Sequence, residues 1–145
     1  MHHLNTAMKM LWSLQKAIVT KPLIVFKSVS GNVRNFVKRV GYESLEITDS
    51  NALNEVADNF VIIAPTYESI MLEDLEDFID LNHENCIGVV GSGNYNFGND
   101  YVFTAKDISE KYDIPIIYDF ENRGTKKDII KFQQIIEGMS GKNDN

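Results

Sequence analysis

The chain has 145 residues, 43% hydrophobic and 24% charged, which is enough for one domain with a substantial core. It contains no run of 18 apolar residues, so no membrane span is expected, and its single cysteine, Cys86, excludes an internal disulfide. The net charge is −7, and the stretch from Val40 to Ala105 holds thirteen acids with no Lys or Arg, which argues against nucleic-acid binding.

Residues 1–21 read as a separate extension, either loosely held or a short amphipathic helix with Met8, Leu11, Leu14 and Ile18 on one side. They lack the apolar core and cleavage pattern of a signal peptide, so a cytoplasmic location is expected. From Pro22 the pattern becomes regular. Leu23–Phe26 is a continuous apolar run, as in a strand buried on both faces. Val33, Phe36, Val37 and Val40 then fall at helical spacing, and Gly41 closes the helix. Tyr42–Ile47 predicts a weaker second strand. Residues 48–58 are polar, and either one short helix or an irregular connection fits them.

Phe60–Ala64 predicts the third strand, stopped by Pro65. Leu72, Leu75, Phe78 and Ile79 mark an acidic helix, and Cys86–Val90 the fourth strand, with Cys86 as a small core residue. Tyr101, Val102, Ala105, Ile108 and Tyr112 mark another helix, capped by Asn99 or Asp100. Ile114–Tyr118 predicts the fifth strand, placed at a sheet edge by its internal Pro115. Thr125 to Asp128 has capping-box spacing and opens a last helix with Ile129, Phe132 and Ile136 on its apolar face. Strands alternating with helices in this way predict an α/β domain over 22–138, followed by a frayed tail at 139–145. The expected architecture is a flavodoxin-like three-layer sandwich whose five-stranded parallel sheet has the order 2-1-3-4-5.

That order brings three loops to the carboxyl edge of the sheet. Ser28-Val29-Ser30-Gly31-Asn32-Val33 offers two hydroxyls, a permissive glycine and a helix N-terminus, which together suit a phosphate. Ala64-Pro65-Thr66-Tyr67-Glu68 offers backbone amides and one aromatic. Gly91–Gly98 can curl around the rim of a flat heterocycle, with Asn94 and Asn96 fixing the curl. There Tyr95 and Phe97 either lie against a ring or anchor the loop to the domain. No nucleophile–base pair is evident, and His2, His3 and His83 lack metal-ligand spacing, so no metal site is expected. Ala64-Pro65 stands where a phospho-receiver domain of the same topology needs an aspartate. A bound cofactor should therefore carry the chemistry.

These loops, with Gly91–Gly98 in the stretch Gly88–Gly98 as the specific part and Tyr118–Thr125 in support, resemble the NrdI family over about residues 22–138. Those proteins are small FMN flavoproteins serving class Ib ribonucleotide reductase. The resemblance implies that reduced FMN reacts with oxygen. The superoxide formed would pass to the dimanganese centre of the reductase small subunit, and an electron-donating reductase would re-reduce the flavin. Residue by residue it implies that Ser28, Ser30, Gly31, Asn32 and Val33, with Val29 beside them, hold the FMN phosphate. It places Thr66 and Tyr67, with Pro65 and Glu68, on one side of the isoalloxazine, and Ser92, Gly93, Asn94, Tyr95, Asn96 and Phe97 on the other. The resemblance departs at Glu68-Ser69-Ile70-Met71, which has no glycine where many relatives carry them to ease a peptide flip on flavin reduction. A general electron-transfer flavodoxin, or a module of this fold that has lost its flavin, are the other readings.

Overall fold

In a computed structural model, which describes residues 7 and 21–141 (of Phe97, Asn99, Asp100, Ser140 and Gly141 the backbone alone), the apolar run Leu23–Phe26 is β1. It lies between β2 (Ser44–Glu46) and β3 (Phe60–Pro65), followed by β4 (Cys86–Gly93) and β5 (Ile116–Glu121). The five strands form one parallel sheet in the order β2-β1-β3-β4-β5, as the alternating pattern predicts. The helix expected in the extension and the last residues of the tail lie outside the described residues.

β1 and β3 have apolar side chains at every position because both of their faces are covered. Val25, Ile62 and Val89 point to one side, against α2 (Glu73–Asn82) and α3 (Phe103–Tyr112). Ile24, Phe26, Val61, Ile63 and Val90 point to the other, against α1 (Asn32–Val40) and α4 (Lys126–Gly141). On that second side Phe36 stacks on Phe120 at 3.9 Å and meets Phe132 edge-on at 5.4 Å. Among the described residues no helix is long and apolar enough to cross a membrane.

The ends of the helices follow the sequence in two cases. Gly41 takes φ 79° and donates its N–H to the Val37 carbonyl. Thr125 and Asp128 form a reciprocal box, Asp128 N–H to Thr125 Oγ1 at 3.2 Å and Thr125 N–H to Asp128 Oδ2 at 2.7 Å. Elsewhere the expected boundaries move. β4 continues three residues past Val90, because Ala64↔Gly91 and Pro65↔Ser92 still pair with β3. β5 begins after Pro115 instead of containing it. The proline cannot donate to the ladder, but its carbonyl accepts from Val89. α3 starts at Phe103 behind Val102, without a side-chain cap, because residues 95–100 are taken up by 3-10 turns. α4 runs to Gly141, past the expected boundary at 138.

The connection at 48–58 is irregular, and side chains from another element hold it. Buried Asn82 donates to the Asn54 carbonyl and accepts from Val56 N–H, both at 2.9 Å. Asn85 donates to the Val56 carbonyl at 2.8 Å.

Candidate cofactor cleft

The three loops after β1, β3 and β4 meet at the carboxyl edge of the sheet around a cleft of about 250 Å³. The first loop contributes Ser28, Val29, Ser30, Asn32 and Val33 to its lining, the second Pro65, Thr66 and Tyr67, and the third Ser92, Gly93 and Asn94. Asn122, from the turn after β5, completes it. Gly31, Glu68, Tyr95 and Asn96 stand outside the lining, and the Phe97 side chain lies outside the described residues.

At one end the chain leaves donors unused. Gly31, at φ 93°, turns the backbone into α1 and gives it no side-chain cap. The amides of Asn32 and Val33 have no acceptor among the described residues. Buried Ser28 accepts the Arg34 N–H at 3.2 Å through Oγ, which leaves its own hydroxyl hydrogen to donate. Unclaimed amides at the positive end of a helix dipole, next to a free hydroxyl, suit a phosphate dianion.

At the other end the polar groups are largely spent on one another. Thr66 donates to the Ser92 carbonyl at 2.8 Å, with the Tyr101 carbonyl at 3.2 Å. Ser92, 5% exposed, donates to the Asn122 carbonyl at 2.7 Å, and Asn122 returns its N–H to the Gly93 carbonyl at 2.8 Å. These hydroxyls build the wall of the cleft and have no hydrogen left for a ligand. Asn94 Oδ1 accepts the Asn96 N–H at 2.8 Å, so of the two asparagines expected to fix the curl Asn94 does so through its side chain and Asn96 through its backbone. The Tyr95 N–H goes to Glu121 at 3.0 Å. Tyr95 is 60% exposed and stacks on Tyr101 at 4.2 Å, so it anchors the loop within the domain. Among the described residues the Tyr101 hydroxyl, closed to solvent, has no hydrogen-bond partner, and burial holds its pKa above the ordinary phenol range.

Two of the glycines in this stretch are required by packing within the chain. A Cβ on Gly91 would lie 2.9 Å from the Val102 side chain and 3.0 Å from Ala105, so α3 can lie close on β4 only at a glycine. A Cβ on Gly93 would lie 1.8 Å from the Tyr101 carbonyl oxygen. The space a side chain on Gly93 would need is thus filled by the chain itself.

Asn122 belongs to none of the three loops that the sequence brings to the site. The available signal was an Asn-x-Gly turn directly after the fifth strand, which the 2-1-3-4-5 order puts beside the third loop. Asn122 and Gly124 both take positive φ there, 54° and 74°. Cys86 sits at the opposite end of β4, and burial raises its thiol pKa to about 11. Among the described residues no cluster of His, Cys, Asp and Glu could hold a metal ion.

The sequence model described as NrdI flavodoxin-like matches residues 24–134. Among solved structures, a short-chain flavodoxin associated with a non-canonical PDU bacterial microcompartment is similar with TM-score 0.62 and 21% identity, over 84% of this chain and 97% of its own. A Streptococcus pneumoniae TIGR4 flavodoxin is similar with TM-score 0.59 and 25% identity, over 83% and 98%. A response regulator from Colwellia psychrerythraea reaches TM-score 0.58 at 10% identity, over 85% and 99%, a likeness of fold alone.

Proposed function

The chain belongs to the NrdI flavodoxin-like family, and on that premise we propose that it binds FMN and activates a class Ib ribonucleotide reductase. The observation that carries the reading is the division of the cleft into an end of unclaimed donors and a prebuilt wall. Ser28 and Ser30, with the amides of Asn32 and Val33, would hold the phosphate. Tyr67 on one side and Gly93 and Asn94 on the other would border the ring system. At about 250 Å³ the cleft is smaller than the roughly 300–1,000 Å³ of sites that enclose a drug-sized ligand, so part of the ring would face outward.

Bound and reduced, FMN would supply the electrons that convert oxygen to superoxide for the dimanganese centre of the small subunit. The protein's part is to hold the group, keep its outer edge accessible and present a surface to the partner. The site loops suit that last task. Val29, which lines the cleft, and Ile70, Met71 and Tyr95, on the segments after β3 and β4, are exposed by 37%, 75%, 48% and 60%. An electron-donating reductase and a cytoplasmic setting complete the proposal. One observation favours the second reading, a general electron-transfer flavodoxin. The glycine-free turn Ser69–Met71 closes with ordinary 3-10 geometry, Met71 N–H to Glu68 carbonyl at 2.9 Å.

The cofactor assignment is checked by titrating apo-protein with FMN and following flavin fluorescence. Quenching should saturate at one FMN per chain, and a trace with no saturation would contradict it. Ser30→Ala should cost about tenfold in FMN affinity, near 1.5 kcal/mol for one hydrogen bond to a charged group. Riboflavin, which has no phosphate, should bind Ser30→Ala and the parent alike. An equal loss for both ligands would move Ser30 away from the phosphate.

A further inference from the structure

Arg34 does not line the cleft, yet its backbone and its side chain both lie against the loop at one end of it. Its backbone N–H is the donor that fixes Ser28 Oγ at 3.2 Å. Its side chain turns back over the loop, with Nη1 3.8 Å from where a Cβ on Gly31 would stand. The guanidinium is held in that place by Glu46 on the edge strand β2. Nε donates to Glu46 Oε1 at 2.9 Å and Nη2 to Oε2 at 2.6 Å, a bidentate pair. Glu46 is itself fixed, by its register with Phe26 and by Asn51, which donates to its carbonyl at 2.9 Å.

We infer that Arg34 and Glu46 form a clamp that positions the phosphate-binding turn, with Arg34 a positioning residue that does not itself contact the ligand. The inference rests on the FMN reading above. Gly31 caps nothing at the start of this turn, and the Ser28 Oγ bond to the Arg34 N–H is the one side-chain bond among the described residues that defines it from within. The clamp ties that turn to the sheet from behind. Glu46 is therefore a positioning residue although it is a carboxylate near an anion site. Charge alone predicts the opposite, that removing Glu46 would leave Arg34 unpaired and tighten the hold on phosphate. The two accounts differ in sign for one substitution.

The test compares Arg34→Met, Glu46→Gln and the double variant with the parent, for FMN and for riboflavin. Each single variant should bind FMN about fivefold more weakly, the double variant no worse than either single one, and riboflavin as in the parent. Tighter FMN binding by Glu46→Gln, FMN affinities equal to the parent's, or equal losses for the two flavins would each overturn the inference. Amide exchange at residues 31–35 of the apo-proteins reads the same clamp without a ligand. Exchange there should accelerate severalfold in both single variants, and unchanged protection would also overturn it. If the parent failed to bind FMN, the cofactor reading would fall while the exchange result still decided the clamp.

Discussion

Replacing Gly93 with alanine or with valine should lower FMN affinity on the order of a hundredfold, about 2.7 kcal/mol. The sequence alone points to a valine side chain meeting the ring edge. The structure gives an earlier cause, because a Cβ at this position would lie 1.8 Å from the Tyr101 carbonyl oxygen. That oxygen is backbone and cannot rotate away, so residues 93–101 must shift. The shift breaks the approach of Thr66 to Tyr101 and moves Tyr101 under Tyr95. Overpacking of this kind costs about 1–3 kcal/mol, so the melting temperature should also fall, by roughly 3–10 °C. Alanine is the decisive variant, since it carries the clashing atom and nothing more. Parental FMN affinity in Gly93→Ala, measured by fluorescence titration, would show that the wall of the cleft is not built as described.

Phe36→Ala should have the largest effect on the fold itself, a loss of about 3–5 kcal/mol. That is a large share of the roughly 5–15 kcal/mol that holds a typical domain together. Phe36 is fully buried, stacked on Phe120 with 10° between the rings, and edge-on to Phe132. It also lies under the turn after β5, where a Cβ on Gly124 would come within 2.8 Å of its ring. One side chain thus joins α1, β5, α4 and the turn that carries Asn122. Urea denaturation of the apo-protein measures the loss, and a change below 1 kcal/mol would contradict the packing.

The apolar positions made the architecture legible. A strand covered on both faces must be apolar throughout, and an amphipathic helix must repeat every three to four residues, so β1, β3 and α1 could be located from spacing alone. The parallel sheet followed from the alternation, and its order from the match of five such strands to the flavodoxin-like arrangement. What the pattern hid were residues whose role depends on a distant partner. The segment 48–58 has no period of its own because it is held by turn bonds among Thr48, Asn51 and Asn54 and by Asn82 and Asn85, which bind Asn54 and Val56 from outside it. β5 read two residues early, because Ile114 prolongs the apolar run while Asp119 and Glu121 interrupt the strand's far half on an exposed edge. At the cleft, the sequence showed which loops converge but not how their hydroxyls are used. Ser28 and Ser92 look alike in sequence. One keeps its hydrogen, and the other gives it to Asn122.

The proposed function is tested most directly by mixing the reduced, FMN-loaded protein with oxygen and a manganese-loaded class Ib small subunit, and measuring tyrosyl radical by EPR. Radical should appear with the reduced protein and not with the oxidised one, and its yield should exceed that given by free reduced FMN. The exposed apolar side chains on the site loops predict that excess, because a docked partner receives the oxidant before it is lost to solvent. A radical yield no higher than with free reduced FMN would contradict the activator role and leave an electron-transfer flavodoxin as the better account.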